Sequence, residues 1–180
     1  MIYQFINLLT IFRIFSGPLI FALIIVHNFF FLALIIAIFA SLTDFFDGYL
    51  ARKYSKVSEF GRIFDPIADK VMIVFCLIAI SIYLDNILVG FCTASILSRE
   101  IIVSGLREFA SQSDRSFLLN VTFLAKIKTS FQLFSIISYL IGFSTNDALI
   151  IFLSHWVLFL ATLITIKTGL DYYLALRKGS

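Results

Sequence analysis

Asp44, Asp47, Asp65 and Asp69 fall within the run DFFDGYLARKYSKVSEFGRIFDPIAD of an otherwise apolar chain. Carboxylates at membrane depth are costly unless they hold something. Asp44 and Asp47 are three residues apart and Asp65 and Asp69 four apart, so on helices each pair shares one face, with about 5–6 Å between Cβ atoms. The polar stretch from Lys53 to Phe60 contains Ser55, Lys56, Ser58 and Glu59, and predicts a turn between two antiparallel helices that brings the pairs together. Four gathered carboxylates repel, and must share protons or hold cations. Their all-oxygen ligand set suits hard ions such as Mg²⁺, Mn²⁺ or Ca²⁺ rather than zinc.

The residues between the aspartates have uses of their own. Gly48 directly follows Asp47 and Gly61 lies four before Asp65, both places where a ligand or a second helix can approach the backbone. Arg52 lies eight residues after Asp44, a little over two helical turns on and so on much the same face. A guanidinium beside a metal cluster can grip a phosphate. Metals, an arginine and an acidic base together point to phosphoryl-transfer chemistry.

The elements that must position these groups are membrane helices. The chain has 180 residues, 61% hydrophobic, with a mean hydropathy of +1.02, well above the apolar share of a soluble domain. We expect an all-α, polytopic membrane protein forming a single domain over residues 1–180, with no linker, repeat or low-complexity tract dividing it. Six hydrophobic stretches, 7–26, 29–51, 65–83, 87–107, 122–143 and 148–170, each approach the roughly 20 residues needed to cross a hydrocarbon core. The short breaks at His27-Asn28, Asp85-Asn86 and Ser144 to Asp147 carry no Lys or Arg, whereas all 14 basic residues fall toward the other ends. By the positive-inside rule those ends are cytoplasmic. The expected topology is N-in and C-in, with the aspartates at the cytoplasmic ends of the second and third helices.

A cleaved leader is not expected, because residues 1–12 lack a positive n-region. The net charge of +3 is explained by topology and anionic headgroups, and nucleic-acid binding is not expected. Cys76 and Cys92 lie within spans, with no CxxC or Cys/His spacing, and read as small hydrophobes. Tyr49, Tyr54, Tyr83, Tyr139, Tyr172 and Tyr173 are expected at the interface, as are His27 and His155.

A second polar group lies in SREIIVSGLREF, residues 98–109. Arg99 and Arg107 are eight apart on one helical stripe, each followed by a glutamate, with Ser104-Gly105 between them. A buried Arg99 needs an anion, which could be Glu100, a clustered aspartate or a substrate phosphate. Lys126 and Lys128 open the fifth span, and could either snorkel and set topology or hold a ligand. Glu100 and Glu108 read as counter-charges to the arginines. Asn7, Thr10 and Arg13 form a polar stripe that interfacial anchoring would explain, Arg13 excepted.

The signature from Asp44 to Asp69 resembles that of the CDP-alcohol phosphatidyltransferases, with every fixed position present and the eight-residue spacer before Gly61 intact. REIIVSGLREF, the AKIKT segment and Gln132, with Asn7, Thr10, Arg13 and Pro18, are similar to the branch of that family using glycerol 3-phosphate as acceptor. The resemblance implies a six-helix membrane fold, a homodimer, and a site for two divalent ions, Mg²⁺ or Mn²⁺, open to the cytoplasm. It implies that Asp44, Asp47, Asp65 and Asp69 bind the metals and that Asp69 doubles as catalytic base. Gly48, Ala51, Arg52 and Gly61 would hold CDP-diacylglycerol, and Arg99, Arg107, Lys126 and Lys128 the phosphate of glycerol 3-phosphate. The implied reaction is direct displacement at the phosphorus bearing diacylglycerol, with release of CMP, in a bacterial inner membrane. Cardiolipin synthesis by the same family and, from another class, cation transport are the alternatives. Transporter sites lie near the bilayer midplane on broken helices, unlike carboxylates at helix ends.

Overall fold

The structure, a computed structural model, describes residues 2–54, 59–112 and 123–178, with side chains over 7–43, 64–110 and 127–175 and at Arg177. Over these residues it is all-helical: α1 (Ile2–Ile25), α2 (Phe30–Tyr54), α3 (Glu59–Leu84), α4 (Ile87–Gln112), α5 (Phe123–Thr145) and α6 (Ala148–Lys178). The described residues of each expected hydrophobic stretch fall on one of these helices to within a residue at its ends. Among the described residues, four helices contain stretches that by length and composition could cross a membrane: Asn7–Ile25, Phe64–Leu84, Ile87–Ala110 and Ala148–Ala175. α2 opens on a shorter apolar stretch, Phe30–Thr43.

The three short breaks are built alike. Each contains a residue at positive φ, Asn28 (53°), Asp85 (45°) or Asn146 (54°), and Asn and Asp tolerate this left-handed region better than other non-glycine residues. Asn146 ends α5 while the Asp147 amide reaches back to the Gly142 carbonyl at 3.0 Å, closing the helix end as in a Schellman motif. In the second and third breaks the next residue then caps the following helix. Asn86 Oδ1 accepts from the Leu88 amide at 2.9 Å, and Asp147 Oδ1 from the Leu149 amide at 2.8 Å, satisfying donors that a helix start leaves orphaned.

The core is aliphatic: Ile20, Ile24, Leu77, Ile80, Ile96, Ile136, Leu140 and Leu158 are fully buried. α3 packs against α1, α4 and α5, while α6 packs against α4 and α5. Large apolar side chains also cover the outside, among them Phe15, Phe31, Phe39, Phe91, Ile101, Phe134 and Trp156. Such contiguous apolar cover is a liability in water and suits contact with lipid.

Two expectations about aromatics are corrected here. Tyr139 is wholly buried in the core rather than interfacial, with its ring against His155 and Phe143. Tyr172 is also buried, because it lies beneath two arginines.

Candidate active site

The contact between α1 and α3 is the most extensive in the bundle, and it organises the acidic end. Thr10 Oγ1 donates to Asp65 Oδ1 at 2.6 Å, and Arg13 Nη1 to Asp69 Oδ1 at 2.6 Å. A turn further on, a Cβ added at Gly17 would stand 3.1 Å from Met72 Cα and 3.2 Å from the Val71 carbonyl oxygen. Positions 10, 13 and 17 thus climb in step with 65, 69 and 72, so α1 and α3 run parallel. The absent side chain at Gly17 lets the backbones approach closely enough for Thr10 and Arg13 to reach the aspartates. Thr10 and Arg13 are fully buried, so these two residues are an inward-facing support of the carboxylates and not interfacial anchors.

This support was missed for Thr10. The signal that would have found it is that Thr10 and Arg13 have nearly the spacing of Asp65 and Asp69, so two facing helices pair them turn for turn. Lys70, next to Asp69 in the chain, donates to Ser104 Oγ on α4 at 2.6 Å.

Asp44, Asp47, Gly48, Ala51 and Arg52 fall on α2, Gly61 on α3 and Lys126 on α5, and their side chains lie outside the described ones. Among the described side chains no three His, Cys, Asp or Glu residues gather into a metal-sized group. Asp65 and Asp69, one turn apart on α3, are the described half of the acidic quartet. Their chemistry fits a hard divalent ion: both offer carboxylate oxygens, and both are oriented from behind by a buried partner. Such outer partners typically fix ligand orientation at metal sites.

Asp69 also faces a second feature, a cavity of about 220 Å³ between α3, α4 and α5. That is below the roughly 300–1,000 Å³ of drug-sized pockets, so it suits a small molecule. Its wall includes Asp69, Lys70, Arg99, Glu100, Ser104, Arg107, Lys128, Thr129 and Gln132. Four cations face two carboxylates, an excess of positive charge that favours an anion.

The cations are held in place by the protein. Arg99 and Lys128 are both buried, and both donate to Glu100 Oε1, Arg99 Nη1 at 3.0 Å. Glu100 is therefore the anion for Arg99 and a shared anchor for the two cations. Lys128 is not a snorkelling residue. Arg99 Nη2 also donates to Thr168 Oγ1 at 3.0 Å, and Arg107 Nη2 to the Tyr172 hydroxyl at 2.6 Å. Gln132 is buried and donates to Thr165 Oγ1 at 3.0 Å. The structure thus brings Asp69, Arg99, Arg107 and Lys128 around one recess.

Helices long and apolar enough to cross a membrane, with carboxylates and an excess of cations around one recess, have the make-up of a membrane protein with a site for a small anion. Residues 4–167 match the CDP-alcohol phosphatidyltransferase family, and the chain belongs to that family, whose members generally depend on divalent metal ions. It is 39% identical over 175 residues to a protein of Rickettsia felis named CDP-diacylglycerol–glycerol-3-phosphate 3-phosphatidyltransferase, covering 96% of this chain and 94% of that one. Proteins of the same name from Rickettsia typhi, 40% identical over 94% of each chain, and Wigglesworthia glossinidia brevipalpis, 36% identical over 92% of this chain and 90% of that one, are similar along nearly their whole lengths.

Proposed function

We propose that the chain transfers the phosphatidyl group of CDP-diacylglycerol to glycerol 3-phosphate, giving phosphatidylglycerophosphate and CMP. The observation that carries this reading is the shared recess, in which Asp69 and the cations Arg99, Arg107 and Lys128 line one small cavity. An acceptor with a phosphate at one end and a hydroxyl at the other needs cations and a base a few ångströms apart, and that pairing is what the recess offers.

In this reading Lys126 joins Arg99, Arg107 and Lys128 in holding the acceptor phosphate. Asp69 takes the proton from the 1-hydroxyl of glycerol 3-phosphate, and that oxygen forms a bond to the phosphorus bearing diacylglycerol. The bond from that phosphorus to the oxygen of CMP breaks, and CMP leaves with its electron pair. Arg13 fixes the orientation of Asp69 toward the cavity, which contributes proximity and alignment to the barrier reduction. Gly48, Ala51, Arg52 and Gly61 hold the cytidine diphosphate portion of the donor. Asp44, Asp47, Asp65 and Asp69 would hold two divalent ions, Mg²⁺ or Mn²⁺, which when bound neutralise charge on the diphosphate and the leaving group.

The same reading takes all six helices as membrane-crossing, with both termini and the recess on the cytoplasmic side of a bacterial inner membrane. It takes residues 1–180 as one catalytic domain that works as a homodimer. What supports this topology is the clustering of the polar contacts at the starts of α1, α3 and α5 and the late turns of α4 and α6, opposite the three uncharged or acidic breaks.

The test is CMP release from CDP-diacylglycerol by purified protein in detergent with Mg²⁺, offered glycerol 3-phosphate, phosphatidylglycerol, serine or inositol phosphate in turn. Release that depends on glycerol 3-phosphate is expected. Release with phosphatidylglycerol alone would move the chain to cardiolipin synthesis, and no release with any acceptor would overturn the enzymatic reading in favour of transport.

A further inference from the structure

The last turns of α6 supply no group to the chemistry described above, yet they touch both arginines of the recess. Thr168 Oγ1 donates to the Thr165 carbonyl at 2.9 Å. With its proton committed to its own helix, the oxygen is turned toward Arg99 Nη2 as a fixed acceptor. At the next residue, a Cβ added to Gly169 would stand 3.0 Å from Arg99 Cγ, so the arginine stem lies directly across the glycine. One turn further, the buried ring of Tyr172 lies under both guanidinium groups, 5.1 Å from ring centroid to Arg107 Cζ and 5.7 Å to Arg99 Cζ. Both distances lie within the roughly 6 Å of a cation–π contact, which strengthens where water is excluded.

The chemistry of this support matters. A carboxylate beneath the two arginines would hold them equally well, but would cancel the charge that an incoming anion must meet. Arg99 already has its anion in Glu100; a neutral ring and two hydroxyls orient the guanidinium groups without adding a second negative charge, so the charge of Arg107 is left for the ligand. Among the described residues Arg107 makes no ion pair and its bond to the Tyr172 hydroxyl is its only hydrogen bond, while it also lines the recess.

We propose that Thr168, Gly169 and Tyr172 form a neutral platform that positions Arg99 and Arg107 for the phosphate of the acceptor, with Tyr172 as a positioning residue acting through Arg107. The proposal rests on the glycerol 3-phosphate reading of the recess. It assigns α6 a part in acceptor selection: the platform tunes affinity for the phosphorylated acceptor and leaves use of the lipid donor unchanged.

The test is steady-state kinetics of the full chain in detergent, measuring KM for each substrate and kcat for Tyr172→Phe, Tyr172→Leu, Thr168→Val, Arg107→Ala and the double variant of Tyr172→Phe with Arg107→Ala. Removing only the hydroxyl in Tyr172→Phe is expected to raise the glycerol 3-phosphate KM by about fivefold, the scale of one charge-assisted hydrogen bond at a partly exposed site. Tyr172→Leu, which also removes the ring, is expected to raise it further, and Thr168→Val to act in the same direction through Arg99. In the Tyr172 and Thr168 single variants donor KM and kcat stay near wild type. In the Arg107→Ala background Tyr172→Phe adds nothing further, as expected of groups acting as one unit. An unchanged acceptor KM in Tyr172→Phe, equal rises in both KM values, or full additivity with Arg107→Ala would overturn the platform while leaving the functional reading intact. Wild-type turnover that ignores glycerol 3-phosphate would overturn the functional reading and the platform with it.

Discussion

Arg13 and Asp69 are joined across the α1–α3 contact by a 2.6 Å ion pair in which the arginine side chain has no exposed surface and the carboxylate is 33% exposed. One partner is thus sealed in the bundle while the other looks into the cavity where the acceptor would sit. An arginine held this way can fix the carboxylate's direction without competing with substrate for space. Arg13→Gln removes the charge but keeps most of the volume, and is expected to lower kcat by about a hundredfold, because misplacing a reacting group by about 1 Å costs that much. It should also lower stability by roughly 3 kcal/mol, as breaking a buried pair does. Arg13→Lys should recover part of both, read by CMP release and by thermal unfolding in detergent.

Gly17 sets how closely α1 approaches α3. Its Cβ position is 3.1 Å from Met72 Cα, and backbone, unlike a flexible side chain, cannot step aside cheaply. Gly17→Ala is expected to destabilise the protein by about 1–3 kcal/mol, the range for overpacking. It should also lower activity, because the displaced helix carries Thr10 and Arg13. A variant with unchanged unfolding temperature and unchanged kcat would contradict the close-approach argument.

Thr10 holds Asp65 by a 2.6 Å hydrogen bond, and outer-shell partners of metal-binding carboxylates are typically worth 10–100-fold in metal affinity. Thr10→Val, nearly isosteric, is expected to raise the Mg²⁺ concentration for half-maximal activity at least tenfold by the same scale, and to weaken Mn²⁺ binding measured directly by electron paramagnetic resonance. Chelation should abolish CMP release, and readdition of Mg²⁺ or Mn²⁺ should restore it.

Lys128 is buried against Glu100, where a residue serving only to set topology would reach for water. Lys128→Met keeps the stem and removes the charge. It is expected to raise the acceptor KM by about tenfold or more, the loss of one charged contact in a partly desolvated site, with donor KM unchanged. An increase confined to the donor would remove Lys128 from the acceptor pocket.

Much of this was legible in the residues themselves. The six hydrophobic stretches anticipated the helices to within a few residues at most ends, because apolar length and the Asn and Asp breaks are local signals. The Arg99 and Arg107 stripe was legible for the same reason: eight residues bring a helix back to nearly the same face. What the sequence did not disclose was which helices face one another. Thr10 read as an interfacial residue because its partner is 55 positions away, and Tyr172 as an interfacial aromatic because Arg107 is 65 positions away. Lys128 was ambiguous until Glu100 stood beside it. Each of these depends on the packing of α1 on α3, α6 on α4 or α5 beside the cavity, which no spacing within a single helix encodes.

The most direct test of the central claim is to compare the wild-type chain with Asp69→Asn, each with CDP-diacylglycerol, Mg²⁺ and glycerol 3-phosphate, following CMP and phosphatidylglycerophosphate together. The expected result is stoichiometric formation of both by the wild type and loss of both by at least a thousandfold in the variant, since the substitution removes the proposed base and one of its ligand oxygens together. Phosphatidylglycerophosphate formation by Asp69→Asn at near wild-type rate would contradict the account.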